Sequence, residues 1–205
     1  MDYTALASTD SVTKTADALR LHNFEPIVVT SKKEALAKII ELIPAGASVM
    51  NGASRTLEEV GYIEYLKSGT HGWNNLHEAI VTETDPAKQA VLRKQSVISD
   101  FYLGSVHALT ETGELLIASN TGSQLPHLVY TSPNIILVVS TKKIVPTLSD
   151  AFSRIEEHVV PLEDVRMKSV YGYGTTYTKT LVLHSENPAL GRSVKVILVT
   201  EDLGF

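Results

Sequence analysis

A short run of small and polar residues, N-G-A-S-R-T at 51–56, has the composition of an anion-binding loop. Gly52 and Ala53 let a ligand approach the backbone, and the first N–H groups of a helix that begins here have no partner inside that helix. Those groups and the helix dipole favour a negative charge, while Arg55 offers a guanidinium to a carboxylate or phosphate. The run is neither a Walker nor a dinucleotide-binding motif, so an ordinary capped turn explains it equally well. With that alternative open, the sequence predicts a ligand site lined by Gly52, Ala53, Ser54, Arg55 and Thr56.

A second candidate is the turn T-E-T-G-E at 110–114, which carries two carboxylates three residues apart. A carboxylate enclosed beside a ligand can act as a base, or as a nucleophile in acyl transfer. Glu111 is the better placed of the two, since Glu114 adjoins a strand and can point into solvent. The alternative is a solvated hairpin turn formed by Thr and Gly. We predict Glu111 as the catalytic candidate, with Thr112 and Gly113 as ligand-binding residues.

The third candidate is the polar loop N-T-G-S-Q at 120–124. Its backbone amides and hydroxyls can complete an anion-binding nest, or they can simply cap the helix that follows. We predict that Thr121, Gly122, Ser123 and Gln124 contribute to the ligand site. The seven histidines are scattered, and His71 and His77 lack the spacing of a helical zinc pair. The sequence therefore predicts no metal site and no cofactor.

The elements that position these loops follow from the apolar pattern, which alternates between helical periodicity and short continuous apolar runs. Strands are predicted at 27–30, 47–50, 101–105, 115–118, 135–139, 180–184 and 194–200. Helices are predicted around 12–19, 31–43, 56–67, 86–99, 148–155 and 161–170. Capping boxes start two of them, at Ser31–Glu34 and Thr56–Glu59. The dipeptide Thr112-Gly113 predicts a tight reversal between the strands at 101–105 and 115–118. An arm or a hairpin is predicted for residues 171–178. The pattern indicates an α/β protein with one mostly parallel sheet.

Composition limits the class of protein and of partner. The 205 residues, 43% of them apolar, can form one domain, and the absence of Cys excludes disulfides and thiolate sites on this chain. The longest apolar runs, 135–139 and 196–199, are too short to cross a bilayer, and no secretory signal precedes them. The formal net charge of −5, without a basic stripe, argues against nucleic acid and membrane surfaces as partners. A small anion stays compatible with that charge because distant charges are screened. We expect a soluble, cytoplasmic protein.

Several segments in order along the chain resemble the LUD domain, the lactate-utilisation protein family. They are S-R-T-L-E-E-V-G at 54–61, A-L-T-E-T-G-E-L at 108–115, N-T-G-S-Q at 120–124, K-I-V-P-T-L at 143–148 and V-I-L-V-T-E-D-L-G-F at the end. The resemblance runs from about residue 10 to the last residue. It implies a three-layer α/β/α sandwich with a mostly parallel sheet, the fold of ribose-5-phosphate isomerase, glucosamine-6-phosphate deaminase and CoA transferases. It also implies a single LUD domain over 1–205, with residues 1–10 as a disordered or peripheral segment.

Two functions follow from the resemblance. One is a non-redox, ligand-binding or accessory component of lactate or organic-acid utilisation. It would bind a small anionic metabolite (an organic acid, a sugar phosphate or a CoA ester), with separate iron–sulfur proteins as partners. The alternative is an isomerase or acyl/CoA-transferase-like enzyme, in which Glu111 acts as base or nucleophile by analogy with a glutamate of related folds. The lack of a complete catalytic constellation favours the first. Relatives carry cysteines where this chain has residues 171–178, so a thiol or metal role is lost there. The oligomeric state stays open and includes a homo-oligomer.

Overall fold

Two β-sheets and the helices around them make up the computed structural model, which describes all of residues 1–205. The helices are α1 (Thr9–Leu21), α2 (Lys32–Leu42), α3 (Arg55–Glu59), α4 (Tyr62–Lys67), α5 (Leu76–Thr82), α6 (Pro86–Gln95), α7 (Leu148–Arg154) and α8 (Val160–Tyr171). The strands are β1 (Glu25–Val29), β2 (Ser48–Asn51), β3 (Asn74–Asn75), β4 (Phe101–Gly104), β5 (Ala108–Thr110), β6 (Leu115–Ser119), β7 (Asn134–Ser140), β8 (Ile144–Val145), β9 (Lys179–Leu183) and β10 (Ser193–Val199). None of the helices combines the length and apolar character needed to span a membrane.

The larger sheet has six strands in the order β1-β10-β7-β4-β2-β3, and every neighbouring pair in it is parallel. Its central strand β7 is buried on both faces, which explains its unbroken apolar sequence. Ile135, Leu137 and Val139 pack towards α1 and the second sheet, whereas Ile136 and Val138 pack towards α2, α3 and α4. The predicted α/β class and mostly parallel sheet are confirmed, and the flanking helices give the three-layer arrangement.

The second sheet, in the order β8-β5-β6-β9, was not predicted. The reversal expected at Thr112-Gly113 is present, with Gly113 at φ 96°, but it joins β5 to β6. The expected pairing of the 101–105 strand with the 115–118 strand is therefore wrong, since β4 lies in the larger sheet. Both faces of β6 are buried, one against the larger sheet and one against α7. A strand apolar on both faces fits either sheet, so its sequence does not identify its partner.

The predicted helix at 56–67 is in fact two helices, and the capping box at Thr56 is wrong. Ser54 is the N-cap of α3, and its hydroxyl accepts a hydrogen bond from the N–H of Leu57 at 3.3 Å. Gly61, at φ 85°, separates α3 from α4. Thr56 lies in the first turn of α3, which leaves its hydroxyl free to bind a side chain from elsewhere in the fold.

α7 continues through a π-helical turn, Ile155–Val159, into α8, so the helical stretch runs on to Tyr171. A capping box between Thr147 and Asp150 starts it. The arm at 171–178 then returns to β9 and is held at Thr175 and at Thr178. Asp164 Oδ1 accepts from Thr175 N at 2.8 Å, and Ser119 O accepts from Thr178 N at 3.1 Å. The N-terminal segment contacts the same region through the ring of Tyr3, whose centroid lies 5.6 Å from that of His158.

Candidate functional site

A cleft of about 540 Å³ opens where β2, β4 and β7 end. The chain leaves β2 through Gly52–Thr56 and β4 through Ser105–His107, and Lys143 is the last residue of the 3₁₀ turn that follows β7. The carboxyl ends of parallel strands meet at one edge of a sheet, which is where open α/β folds place their ligands. The loop after β6 forms a further side, and α8 with the arm closes the opposite wall. The cleft is thus built by segments far apart in the sequence.

Lys143 lies at the floor of this cleft and is only 4% exposed. Its Nζ donates to Thr56 Oγ1 at 3.0 Å, to Ser105 Oγ at 3.1 Å and to the Val106 carbonyl at 3.2 Å. All three acceptors are neutral, and none of the chain's salt bridges includes Lys143. Burial, assisted by the charges of Arg154 and Lys142, lowers the pKa of Lys143 to about 7. Burial therefore brings release of the Lys143 proton into the neutral pH range.

His107 lines the cleft in its neutral form. Its Nδ1 accepts from Ala118 N at 3.0 Å, so the ring proton is on Nε2. Burial, followed by the charges of Lys143 and Arg154, lowers the pKa of His107 to about 3. Since Nε2 has no hydrogen-bond partner in the protein, it can donate a hydrogen bond to a ligand.

Arg154 lies behind the floor of the cleft, with none of its side chain exposed. Its Nη1 donates to the His107 carbonyl, while Nε and Nη2 have no partner. Burial lowers the pKa of Arg154 to about 10, which leaves the guanidinium charged at neutral pH. A buried charge without a counter-ion is unfavourable by several kcal/mol. Arg154 and Lys143 together make the base of the cleft electropositive.

The two predicted loops come together in this cleft. Gly52, Ala53, Ser54, Arg55 and Thr56 line it with Thr121, Ser123 and Gln124, and Gly122 lies beside them with its N–H donating to Ser119 Oγ at 2.9 Å. At Gly52 any Cβ would lie 2.9 Å from the Tyr102 hydroxyl, so no larger residue fits without a shift. Arg55 already binds Glu58 at 3.2 Å and Glu59 at 2.7 Å. Since α3 has only five residues, the positive charge of the cleft comes from Lys143 and Arg154 more than from a helix dipole.

The other predicted residues, Glu111, Thr112 and Gly113, lie outside the cleft against α1. Glu111 Oε2 accepts from Lys14 Nζ at 2.8 Å, and Oε1 accepts from Ser11 Oγ at 2.6 Å. These two hydrogen bonds, with Lys14 first, lower the pKa of Glu111, whereas an enclosed catalytic base needs a raised one. The roles assigned to these three residues stay predictions, at a place separate from the cleft.

Aromatic and amphipathic side chains of α8 and the arm form the outer wall. Tyr171 and Tyr173 lie there with ring centroids 6.0 Å apart, and Tyr177 donates to Glu156 at 2.7 Å. Arg166 also lines this wall and forms a two-point ion pair with Glu163, at 2.7 Å for both contacts. The cations on this side are therefore already paired, in contrast to those at the base.

Sequence reasoning missed Ser105, His107, Lys143 and Arg154. Lys143 had two visible signals, because it belongs to a rare Lys-Lys pair and opens the K-I-V-P-T-L segment directly after a buried strand. Nothing local indicated that its side chain is buried. His107 and Arg154 had no signal of their own. No group of three or more His, Asp or Glu side chains is arranged to hold a metal ion.

Comparison with known proteins agrees with this architecture. A model of the LUD domain family matches residues 12–199. No curated protein is similar enough to count as a match. Among solved structures, a DUF162 family protein from Deinococcus radiodurans is similar at a TM-score of 0.57 and 14% sequence identity, over 95% of this chain and 99% of that chain. At that identity the likeness concerns the fold alone. Because the family model covers most of the sequence, the chain belongs to the LUD domain family.

Proposed function

We propose that the chain binds a small anionic metabolite in this cleft, as a non-redox, ligand-binding or accessory component of lactate or related organic-acid utilisation. Membership of the LUD domain family supports the connection with lactate utilisation. The charges at the base of the cleft support an anion as the ligand.

The observation that carries the proposal is the lack of an acidic partner for Lys143. Two other enclosed cations of the chain have one, since Lys142 pairs with Asp202 and Arg192 pairs with Glu186. Lys143 binds only neutral oxygens, and Arg154 behind it donates to a carbonyl and lies over the Tyr3 ring, with no acidic partner. An anion in the cleft would supply the missing counter-charge, with the His107 Nε2–H and the hydroxyls around Lys143 as further donors. A volume of about 540 Å³ accommodates an organic acid, a sugar phosphate or part of a CoA ester.

Thermal unfolding with L-lactate, pyruvate, ribose 5-phosphate and acetyl-CoA tests the proposal. At about 100 times its dissociation constant, a ligand adds about 2.7 kcal/mol to the free energy of unfolding. We expect at least one of these anions to stabilise the wild type saturably and to have little effect on Lys143→Met. Lys67→Met, which changes an exposed lysine on α4, is the matched control and should respond like the wild type. Equal stabilisation of Lys143→Met, or no stabilisation of any protein, contradicts the proposal.

The alternative, an isomerase or acyl-transferase that uses Glu111, stays a prediction, and no contact of Glu111 favours it. The same holds for separate iron–sulfur proteins as partners, which follow from the family resemblance only.

A further inference from the structure

The amine of Lys143 can act as a nucleophile in addition to carrying a charge. A neutral primary amine attacks aldehyde and ketone carbons, and lysines gain this reactivity when they are desolvated or lie beside another cation. Lys143 meets both conditions. Its side chain is almost fully buried at the cleft floor, and Arg154 lies behind the same floor without a counter-ion.

The contacts of Nζ accommodate the neutral form as well as the ammonium. Hydroxyl groups both donate and accept, so Thr56 and Ser105 can accept from an ammonium or donate to an amine. Only the Val106 carbonyl requires an N–H, and a neutral amine keeps two. Loss of a proton therefore leaves no buried polar group without a partner, because one of the two hydroxyls can then donate to the nitrogen lone pair.

The charged groups around Lys143 favour the neutral form on balance. Arg154 on α7 and the neighbouring Lys142 both disfavour the ammonium, whereas Glu59 on α3 favours it. His107, which follows β4, is neutral and adds no charge. The pKa of about 7 that results from burial and these charges leaves a substantial fraction of free amine at neutral pH.

We propose that Lys143 forms an imine with a small anion that carries an aldehyde or ketone group, such as a 2-oxo acid. The proposal rests on the proposed function, because it names the class of ligand that the same cleft holds. The lone pair of Nζ attacks the carbonyl carbon, a C–N bond forms as the C=O π bond breaks, and one proton of Nζ passes to the oxygen to give a carbinolamine. The C–O bond then breaks, the hydroxyl group leaves as water with the second proton of Nζ, and the nitrogen lone pair forms the C=N bond. One water is released, and neither an oxidant nor a reductant is consumed.

Reductive trapping tests the proposal. The full-length protein is incubated at pH 7 with glyoxylate or pyruvate and sodium cyanoborohydride, and the labelled lysines are located by peptide mass spectrometry. We expect Lys143 to be labelled about 100-fold faster than Lys67, because Lys143 is desolvated at the floor of the cleft near Arg154, whereas Lys67 is exposed on α4. The rate at Lys143 should reach half its maximum near pH 7. Equal labelling of the two lysines overturns the imine.

A second variant separates the imine from anion binding. Lys143→Arg has no nucleophilic amine, so it should lose the adduct, whereas the thermal response of the wild type to the same carbonyl acids reports anion binding by itself. Stabilisation of the wild type without an adduct at Lys143 overturns the imine and leaves anion binding intact. Neither stabilisation nor adduct overturns both. Should Lys143→Arg fail to fold, the comparison of Lys143 with Lys67 in the wild type decides alone.

Discussion

The base of the cleft and the turn at 110–114 both present charged side chains, but their surroundings differ in kind. Lys143 is 4% exposed and binds only neutral oxygens. The Glu111 side chain is 21% exposed and already binds Lys14 and Ser11. A charged group that is already paired is stabilised little by a ligand of opposite charge. A buried charge that has no partner is stabilised strongly by such a ligand. The presence or absence of an oppositely charged partner, more than residue type, therefore distinguishes a candidate site from an ordinary polar turn.

The same difference appears in the two pKa shifts. Burial disfavours the ammonium of Lys143, so its charged form destabilises the fold. Hydrogen bonds from Lys14 and Ser11 favour the carboxylate of Glu111, so its charged form stabilises the fold. The two regions should therefore respond oppositely to mutation and to pH.

Gly204→Ala is expected to have the largest effect on stability. A Cβ there would collide with Thr56 Oγ1 and lie 3.1 Å from Lys143 Nζ, at a φ of 67° that favours glycine. Overpacking and backbone strain together should lower the free energy of unfolding by about 3 kcal/mol. Urea denaturation measures this change, and ligand affinity should fall with it.

Gly46→Ala is the matched control for Gly204→Ala. Gly46 has a similar φ of 82°, but a Cβ there meets nothing within 4 Å. Backbone strain alone should cost about 1 kcal/mol. Equal losses of unfolding free energy in the two variants would show that contacts with Thr56 and Lys143 do not restrict residue 204.

The pH dependence of stability gives the next largest effect. The unfolded chain keeps Lys143 protonated up to about pH 10, whereas the folded chain releases that proton near pH 7. Between these values the unfolded state binds more protons, so the free energy of unfolding rises with pH. Relative to Lys143→Met, the wild type should gain about 2 kcal/mol between pH 7 and pH 9. Parallel pH profiles of the two proteins in urea denaturation would rule out a lowered pKa.

Arg154→Met should raise the pKa of Lys143, since Arg154 is the strongest charge that lowers it. We expect the pH midpoint of Lys143 labelling to increase by about one unit, or about 1.4 kcal/mol. The peptide-mapping assay described above reports this midpoint. An unchanged midpoint would mean that burial alone sets the pKa and that Arg154 does not contribute to the electropositive base.

Glu111→Gln should have the smallest effect. Its ion pair with Lys14 lies near the surface, where such pairs contribute up to about 1 kcal/mol. Because the pKa of Glu111 is lowered, its contribution is present above the unfolded value of about 4.3 and is lost as the pH falls through the folded value. Thermal unfolding at pH 7 and pH 3 should show a small loss at pH 7 that disappears at pH 3. A large loss of stability at neutral pH would mean that Glu111 contributes more than a surface ion pair.

Local patterns in the sequence predicted the parts of the fold that depend on local physics. The unbroken apolar run at 135–139 predicted a strand, which is β7, and the helix predicted from residue 86 begins at Pro86 with Asp85 as its N-cap. The loops at 51–56 and 120–124 follow strand ends, and the structure brings both to the cleft. The sequence therefore predicted correctly that these two loops follow the ends of strands.

The rest depends on contacts between segments far apart in the chain. Lysine side chains usually lie on the protein surface. Lys143 is buried instead, because Thr56, Ser105 and the backbone at Gly204 enclose it. The second sheet escaped prediction because β6 pairs with β5 and β9, the latter from near the end of the chain. Glu111 was chosen for its residue type and turn, and neither reveals that Lys14 and Ser11 of α1 bind it.

Isothermal titration calorimetry at pH 7 compares the two regions most directly. It uses whichever of L-lactate, pyruvate, ribose 5-phosphate and acetyl-CoA stabilises the wild type most, titrated into wild type, Lys143→Met and Glu111→Gln. We expect Lys143→Met to weaken binding by about tenfold or more, the effect of losing a charged hydrogen-bond donor, and Glu111→Gln to leave the dissociation constant within about twofold. Full affinity in Lys143→Met, or a loss confined to Glu111→Gln, would contradict this expectation.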